Sequence, residues 1–255
     1  MKVVLAVACA AGCLAIVLAP GASGQGGAGQ GGSPGASTNV DPALVAQGRT
    51  LYLESCASCH GFDAHGVHGL GPSLHGVGER SADFYLSTGR MPLDQPDDEP
   101  LRKDPAFPRS QIDALVAYVG SLGGPPIPHS DPRRGSISEG FQAFGESCAG
   151  CHQIVGAGGM TTGARVPALQ DATPTQIAEA VRIGPYLMPK FGEAQIDQHK
   201  LDSLTRYIEY TRAPRDEGGW AIGHLGPIPE GFVAWLLGLA ALILAARAIG
   251  ERTPE

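Results

Sequence analysis

Apolar residues fall into two kinds of pattern along this chain. Two stretches are continuous: Val3 to Ala19, behind a single Lys2, and Phe232 to Ala246, prolonged by Ile228 on one side and by Ala248 and Ile249 on the other. Two others are amphipathic. SQIDALVAYVGSL (110–122) carries Leu115 and Tyr118, and QIDQHKLDSLTRYIEYT (195–211) carries Leu204 and Tyr207. Recurrence three and four residues apart places such side chains on one helical face, so a helix is predicted over each. A further helix is predicted from Asp41, a suitable N-cap, with Pro42 at the first helical position.

A continuous apolar run crosses a bilayer when it reaches about 17–25 residues. Residues 228–249 meet that length and are predicted to be a transmembrane helix, with Trp235 near its entry and Arg247 and Arg252 at its far end. The excess of positive charge there predicts a cytoplasmic C-terminus. The region from about residue 25 to 225 then lies on the extracytoplasmic side of the cell membrane, and Lys2 agrees with that orientation. Residues 1–24 fit a signal peptide or an N-terminal membrane anchor. Cys9 and Cys13 lie inside this run and read as passive apolar packing.

The 37 glycines and 21 prolines are concentrated enough to mark connectors. Residues 25–40 have almost no side chain able to pack and are expected to be a flexible linker. GGPPIPHSDPRRGS (123–136) is expected to separate two segments of similar size, 41–122 and 137–213. These segments repeat one another. Gly48 and Gly140 each stand eight residues before a cysteine, and Tyr52 and Phe144 each stand four before it. Each segment ends in its own amphipathic helix. One small helical fold used twice is the reading, giving a mainly α chain with two tandem domains and a C-terminal transmembrane helix. The formal net charge of −7 removes the electrostatic basis for binding nucleic acid.

Four of the six cysteines occur in two copies of Cys-x-x-Cys-His, SCASCHG at 55–61 and SCAGCHQ at 147–153. Residues three and four apart on a helix share a face, so each motif gathers two thiols and an imidazole. Zinc would need a fourth ligand, and neither half holds a second cysteine pair. A thioredoxin-like dithiol does not call for the histidine and belongs in a βαβ context that is missing here. Covalent haem uses all three groups: Cys56 and Cys59, and Cys148 and Cys151, bond the porphyrin, while His60 and His152 ligate iron. Two covalently bound haem c groups are therefore expected, attached outside the cytoplasm as the topology requires.

The two segments resemble the class I cytochrome c fold. In that family a Gly-Pro-x-Leu stretch follows the haem motif, and its proline carbonyl accepts the ligand histidine's other N–H. GPSLHG (71–76) and VPAL (166–169) match it, the second without the glycine, so the resemblance implies Pro72 and Pro167 as the residues behind the two histidines. It also implies Met91, in GRMP, and Met188, in YLMPK, as the second axial ligands. Met160 is left as core filler, and His65, His68 and His75 as loop residues. A His/Met pair fills both axial positions and raises the potential, which suits electron transfer over oxygen binding.

Tandem domains of this kind with one C-terminal anchor resemble the dihaem cytochrome c subunit of the actinobacterial cytochrome bc1 complex, the menaquinol–cytochrome c reductase. STGRMP, RKDP, MPKF and GPIPEGFVAW carry that resemblance. It implies an electron-transfer subunit of a translocase, without independent catalytic chemistry. The implied partners are the cytochrome b subunit, the Rieske iron–sulfur subunit and an aa3-type cytochrome c oxidase joined in a supercomplex. Two alternatives use similar chemistry: the dihaem subunit of a cbb3-type oxidase, which normally anchors at its N-terminus, and a dihaem peroxidase, which needs an iron without a firm sixth ligand. A structural zinc protein would lack visible absorption. DQPDDE (94–99) reads either as a solvated acidic loop or as a docking element beside the first haem.

Overall fold

A computed structural model describes residues 41–214 and 227–250. The predicted leader or anchor (1–24) and the linker at 25–40 lie outside the described residues. The first unit contains α1 (Pro42–Ser55), α2 (Ala57–His60), α3 (Gly78–Ser87) and α4 (Arg109–Ser121). The second contains α5 (Ile137–Ser147), α6 (Ala149–His152), a hairpin of β1 (Gly159–Thr161) and β2 (Ala164–Val166), α7 (Pro174–Ile183) and α8 (Gln198–Arg212). The last element is α9 (Pro227–Gly250).

Local chemistry sets the helix starts. The Asp41 carboxylate accepts from the Ala43 N–H at 2.9 Å, with Pro42 just inside α1. Thr173 and Gln176 form a reciprocal capping box at the start of α7. Asp197 accepts from the Lys200 N–H at 2.8 Å, so α8 begins at Gln198 and not at 195 as the periodicity predicts. The helix predicted over 110–122 is α4, one residue earlier at each end.

The same crossing builds both units. In the first, α1 packs on α4 at Gly48, where a Cβ would sit 1.9 Å from the Ala114 carbonyl oxygen. In the second, α5 packs on α8 at Gly140, where a Cβ would sit 2.0 Å from the Ser203 carbonyl oxygen. Only glycine admits that approach. Aromatic pairs fill the contact beside each crossing: Tyr52 and Tyr118 have ring centroids 5.0 Å apart, and Phe144 and Tyr207 are 5.4 Å apart. Tyr52 and Leu115 anchor one buried core, and Phe144, Leu201 and Leu204 anchor the other. The repeat predicted from spacing is a repeat of packing.

The stretch expected to hold the units apart is itself pinned. The buried Asp202 carboxylate on α8 accepts from the Asp131 N–H at 2.9 Å and from the Ser130 hydroxyl at 3.2 Å. Gln198 donates to the His129 carbonyl at 2.9 Å. The units also meet directly, within one compact unit of the chain. Gln176 of α7 donates to the Ser87 hydroxyl at 3.2 Å, Arg102 donates to the Asp171 carbonyl at 2.9 Å, and the Arg165 N–H reaches Glu99 Oε1 at 3.1 Å. The proline-rich composition marks a boundary between folding patterns without loosening it, because the Asp131 N–H and the His129 carbonyl find partners on α8, the buried Asp202 and the exposed Gln198.

Gly231–Gly250 is 20 residues long and apolar enough to cross a membrane. At 1.5 Å per residue it spans about 30 Å, the thickness of the hydrocarbon core. It overlaps the predicted segment 228–249 and ends one residue beyond it.

Candidate functional site

Each Cys-x-x-Cys-His begins where the first helix of its unit ends. Cys56 and Cys148 occupy the C-cap positions of α1 and α5, and their N–H groups donate to the Tyr52 and Phe144 carbonyls. A one-turn helix then presents the second cysteine and the histidine. No disulfide joins the four thiols. Burial, reinforced by the neighbouring cysteine, pushes the Cys56 and Cys148 thiols up to about 11, so both are protonated at neutral pH.

Both histidines are oriented from behind. His60 Nδ1 lies 2.8 Å from the Pro72 carbonyl oxygen, and His152 Nδ1 lies 3.1 Å from that of Pro167. A carbonyl only accepts, so Nδ1 carries the proton and Nε2 keeps its lone pair. Burial also pulls His152 below the usual histidine range, against the opposing effect of the Pro167 bond, and favours the neutral ring. The loop from each histidine to its proline repeats as well. The Gly66 N–H donates to the His60 carbonyl at 2.8 Å and the Gly158 N–H to that of His152 at 3.1 Å. A Cβ at Gly66 would meet the Pro72 carbonyl carbon at 2.7 Å, and one at Gly158 the Pro167 carbonyl carbon at 2.6 Å. The glycine missing before Pro167 is replaced by a buried valine, and the turn survives it. Tyr52 and Tyr207 tie the loops down through their hydroxyls, which donate to the Gly61 and Ile154 carbonyls at 2.5 and 2.6 Å.

In the second unit one cavity brings together Cys148, Cys151, His152 and Met188, the set singled out in the sequence. Met188 is half-buried against the core beneath it. In the first unit Met91 follows α3 with its N–H on the Tyr85 carbonyl at 3.1 Å, in the same chain order after His60 and Pro72. Met160 departs from its expected role. It sits on β1 and is 77% exposed, so it fills no core. His65 and His75 stack with centroids 4.0 Å apart, and both hold Asp63, His75 through the backbone carbonyl at 2.9 Å and His65 through the carboxylate at 3.3 Å. The acidic stretch is partly structural, since Glu99 bonds the second unit.

The residues fit a covalently attached haem. Two thiols, a neutral imidazole with a free Nε2 and a thioether line one mostly apolar cavity in the second unit, and Arg90 Nε on its wall is buried without a hydrogen-bond partner among the described residues. Sequence reasoning missed the first unit's share of that wall, including Phe84, Arg90, Leu101 and Arg102. No local motif announces it.

Comparison with known proteins agrees with this geometry. Residues 45–123 match the family described as cytochrome c, and residues 135–208 match that described as cytochrome c oxidase, cbb3-type, subunit III. The cytochrome bc1 complex cytochrome c subunit of Mycobacterium tuberculosis is 38% identical over 221 residues, covering 83% of this chain and 79% of its own. That of Corynebacterium efficiens is 36% identical over 232 residues, covering 84% and 78%. A cbb3-type cytochrome c oxidase subunit of Azospirillum is 30% identical over 133 residues, only 47% of this chain. A second cbb3-type subunit, of Bradyrhizobium diazoefficiens, is 28% identical over 201 residues, 68% of this chain, so the bc1-type relatives exceed both cbb3-type relatives in identity and in coverage. With two tandem cytochrome c domains, the chain belongs to the family of cytochrome c subunits of the actinobacterial cytochrome bc1 complex.

Proposed function

We propose that the chain carries two haem c groups, on Cys56 and Cys59 and on Cys148 and Cys151, and relays electrons through them in series. The domains are residues 41–122 and 137–213. His60 and Met91 are the axial iron ligands in the first, His152 and Met188 in the second, and Pro72 and Pro167 orient the histidines. Bound haem supplies one-electron transfer at iron. Each proline carbonyl fixes its imidazole's tautomer and raises its basicity, and each thioether would hold the iron as a soft ligand that favours the reduced state.

On this reading the protein is the electron-transfer subunit of a quinol–cytochrome c reductase of the translocase class, with no catalytic chemistry of its own. It sits beside cytochrome b, accepts electrons from the Rieske iron–sulfur subunit after menaquinol oxidation, and delivers them to an aa3-type oxidase in a supercomplex. α9 anchors it in the cell membrane. Arg247 near the end of α9 supports a cytoplasmic C-terminus, with both haem domains on the extracytoplasmic side.

The observation that carries the reading is the duplicated geometry, an imidazole Nδ1 held at 2.8 and 3.1 Å by a proline carbonyl behind each Cys-x-x-Cys-His. Affinity purification from membranes tests it. The expected result is co-recovery of cytochrome b, a Rieske protein and oxidase subunits, with an intact mass two haems above the mature polypeptide. Recovery with oxidase subunits alone would instead assign the chain to a cbb3-type oxidase, and a blank pyridine haemochrome spectrum would remove haem altogether.

A further inference from the structure

The cavity between His152 and Met188 is not closed by its own unit. Phe84, Arg90, Leu101 and Arg102 of the first unit form part of its wall. Arg90 is held in place by two contacts: its guanidinium carbon lies 5.2 Å from the Phe84 ring centroid, and Nη1 donates to the Pro100 carbonyl at 2.5 Å. Its Nε–H is left over, since Nε is buried and lacks any acceptor among the described residues. Arg102 is braced alongside the seam by the Asp171 carbonyl at 2.9 Å and Gln176 Oε1 at 3.3 Å. Glu99 also lines the cavity, and its Oε1 is already engaged by the Arg165 N–H.

A buried guanidinium donor without a partner is costly, and buried cations are ordinarily paired. The wall of a largely apolar cavity is a place for such a donor only if the occupant brings an acceptor. Haem brings two propionate carboxylates, which match the planar donor fork of arginine. We propose that Arg90, assisted by Arg102, holds a propionate of the haem in the second unit and sets its potential, so that the first unit completes its neighbour's cofactor site. This rests on the reading that Cys148 and Cys151 carry haem. A fixed positive charge stabilises the reduced haem relative to the oxidised haem, which bears one more positive charge. Removal of the charge therefore lowers the potential. In a water-poor cavity the change in the reduction equilibrium is about tenfold.

The test is a set of Arg90→Gln, Arg90→Lys and Arg102→Gln variants in the full chain, purified in its membrane complex. Bound haem is counted by mass, and each haem's potential is read by optical redox titration, with the second haem's signal identified as the one altered in Met188→Ala. Arg90→Gln is expected to keep both haems and shift the second reduction equilibrium downward about tenfold, or ~59 mV for a one-electron couple. Arg90→Lys, which keeps the charge, is expected to restore most of it. Arg102→Gln is expected to shift the same haem in the same direction by less. Two bound haems with only the first potential moved by Arg90→Gln would overturn the proposal, because Arg90 would then serve the unit it belongs to. Where Arg90→Gln does not assemble, an unmoved second potential in Arg102→Gln overturns it. Wild-type protein with no haem on Cys148 and Cys151 would refute the underlying reading instead.

Discussion

Glu179 of α7 faces Asp83 of α3 across the seam between the two units. Glu179 is wholly buried and Asp83 is 4% exposed. No donor among the described residues reaches either carboxyl oxygen of Glu179, whereas Asp83 is ion-paired with Arg109 Nη1 at 2.7 Å. Only a proton held between the two carboxyls satisfies the pair. Burial first, and then the charge and hydrogen bond of Asp83, push Glu179 up to about 9 from an ordinary 4.5, against the attraction of Arg109 and Arg80.

That pair makes stability fall with pH. A carboxyl whose folded pKa is raised binds more protons in the folded than in the unfolded chain, so its contribution is full below about 4.5, declines as pH rises, and is gone above about 9. Arg80 and Asp83 on α3, Arg109 at the start of α4 and Arg182 on α7 are the other charged groups around it. Glu179→Gln keeps the shape without the ionisation. Denaturant unfolding of the variant between pH 5 and 10 is expected to lose this slope, matching wild type near pH 5 and exceeding it near pH 9. Parallel pH curves for the two proteins would mean that Glu179 is not held protonated.

The duplicated glycine crossing predicts a matched pair of defects. Gly48→Ala and Gly140→Ala force a methyl into backbone 1.9 and 2.0 Å away, and the helices must separate. The expected loss is at the upper end of the ~1–3 kcal/mol typical of overpacking, or beyond it. Gly145 of α5 has nothing within 4 Å of its missing Cβ, so Gly145→Ala is expected to be neutral or to gain about 0.5–1 kcal/mol from helix propensity. Thermal unfolding of the three variants checks this. A Gly145→Ala loss equal to the other two would show that the crossings are not the cause.

What was legible in the sequence is what repeats or is contiguous. The Cys-x-x-Cys-His copies, the Gly48 and Gly140 spacing, Pro72 and Pro167, and the apolar run inside α9 all lie in local patterns, and the structure gives each a matching local geometry. α7 went unpredicted, although the capping box of Thr173 and Gln176 that starts it is a local signal. The seam was not readable. Gln176 with Ser87, Glu99 with Arg165, and Arg90 beside the second unit's cavity are pairings between distant segments, and no periodicity encodes them. Proline-rich composition at 123–136 even points the wrong way, because it reports local backbone preference and carries no information about Asp202 on α8.

The proposed methionine ligands separate cleanly from the third methionine. Met91→Ala and Met188→Ala are each expected to remove one thioether-to-iron charge-transfer band and to lower one haem's potential, as loss of a soft axial ligand does. Met160→Ala, on the exposed face of β1, is expected to change neither. Near-infrared and visible spectra of the oxidised proteins decide it. A band lost in Met160→Ala but kept in Met188→Ala would move the second axial assignment.

Series transfer through both units is the claim on which the proposed function stands, and removing one carrier tests it. Cys148→Ala combined with Cys151→Ala deletes the second attachment site while leaving Cys56, Cys59, His60 and the Tyr52–Leu115 core untouched. Each unit has its own helix crossing and its own core, so the first haem is expected to remain attached and reducible by quinol. Arg90 and Arg102 would lose their proposed propionate partner, and the seam is expected to weaken without unfolding the first unit, since Gln176 and Glu99 still bridge it. Quinol-driven oxygen uptake by membranes of the double variant is expected to collapse, and an added soluble cytochrome that accepts from the first haem is expected to restore part of it. The measurement pairs oxygen consumption with the quinol-reduced spectrum of the remaining haem. Wild-type uptake with the second haem verifiably missing would take that haem off the path and leave a single carrier to do the work.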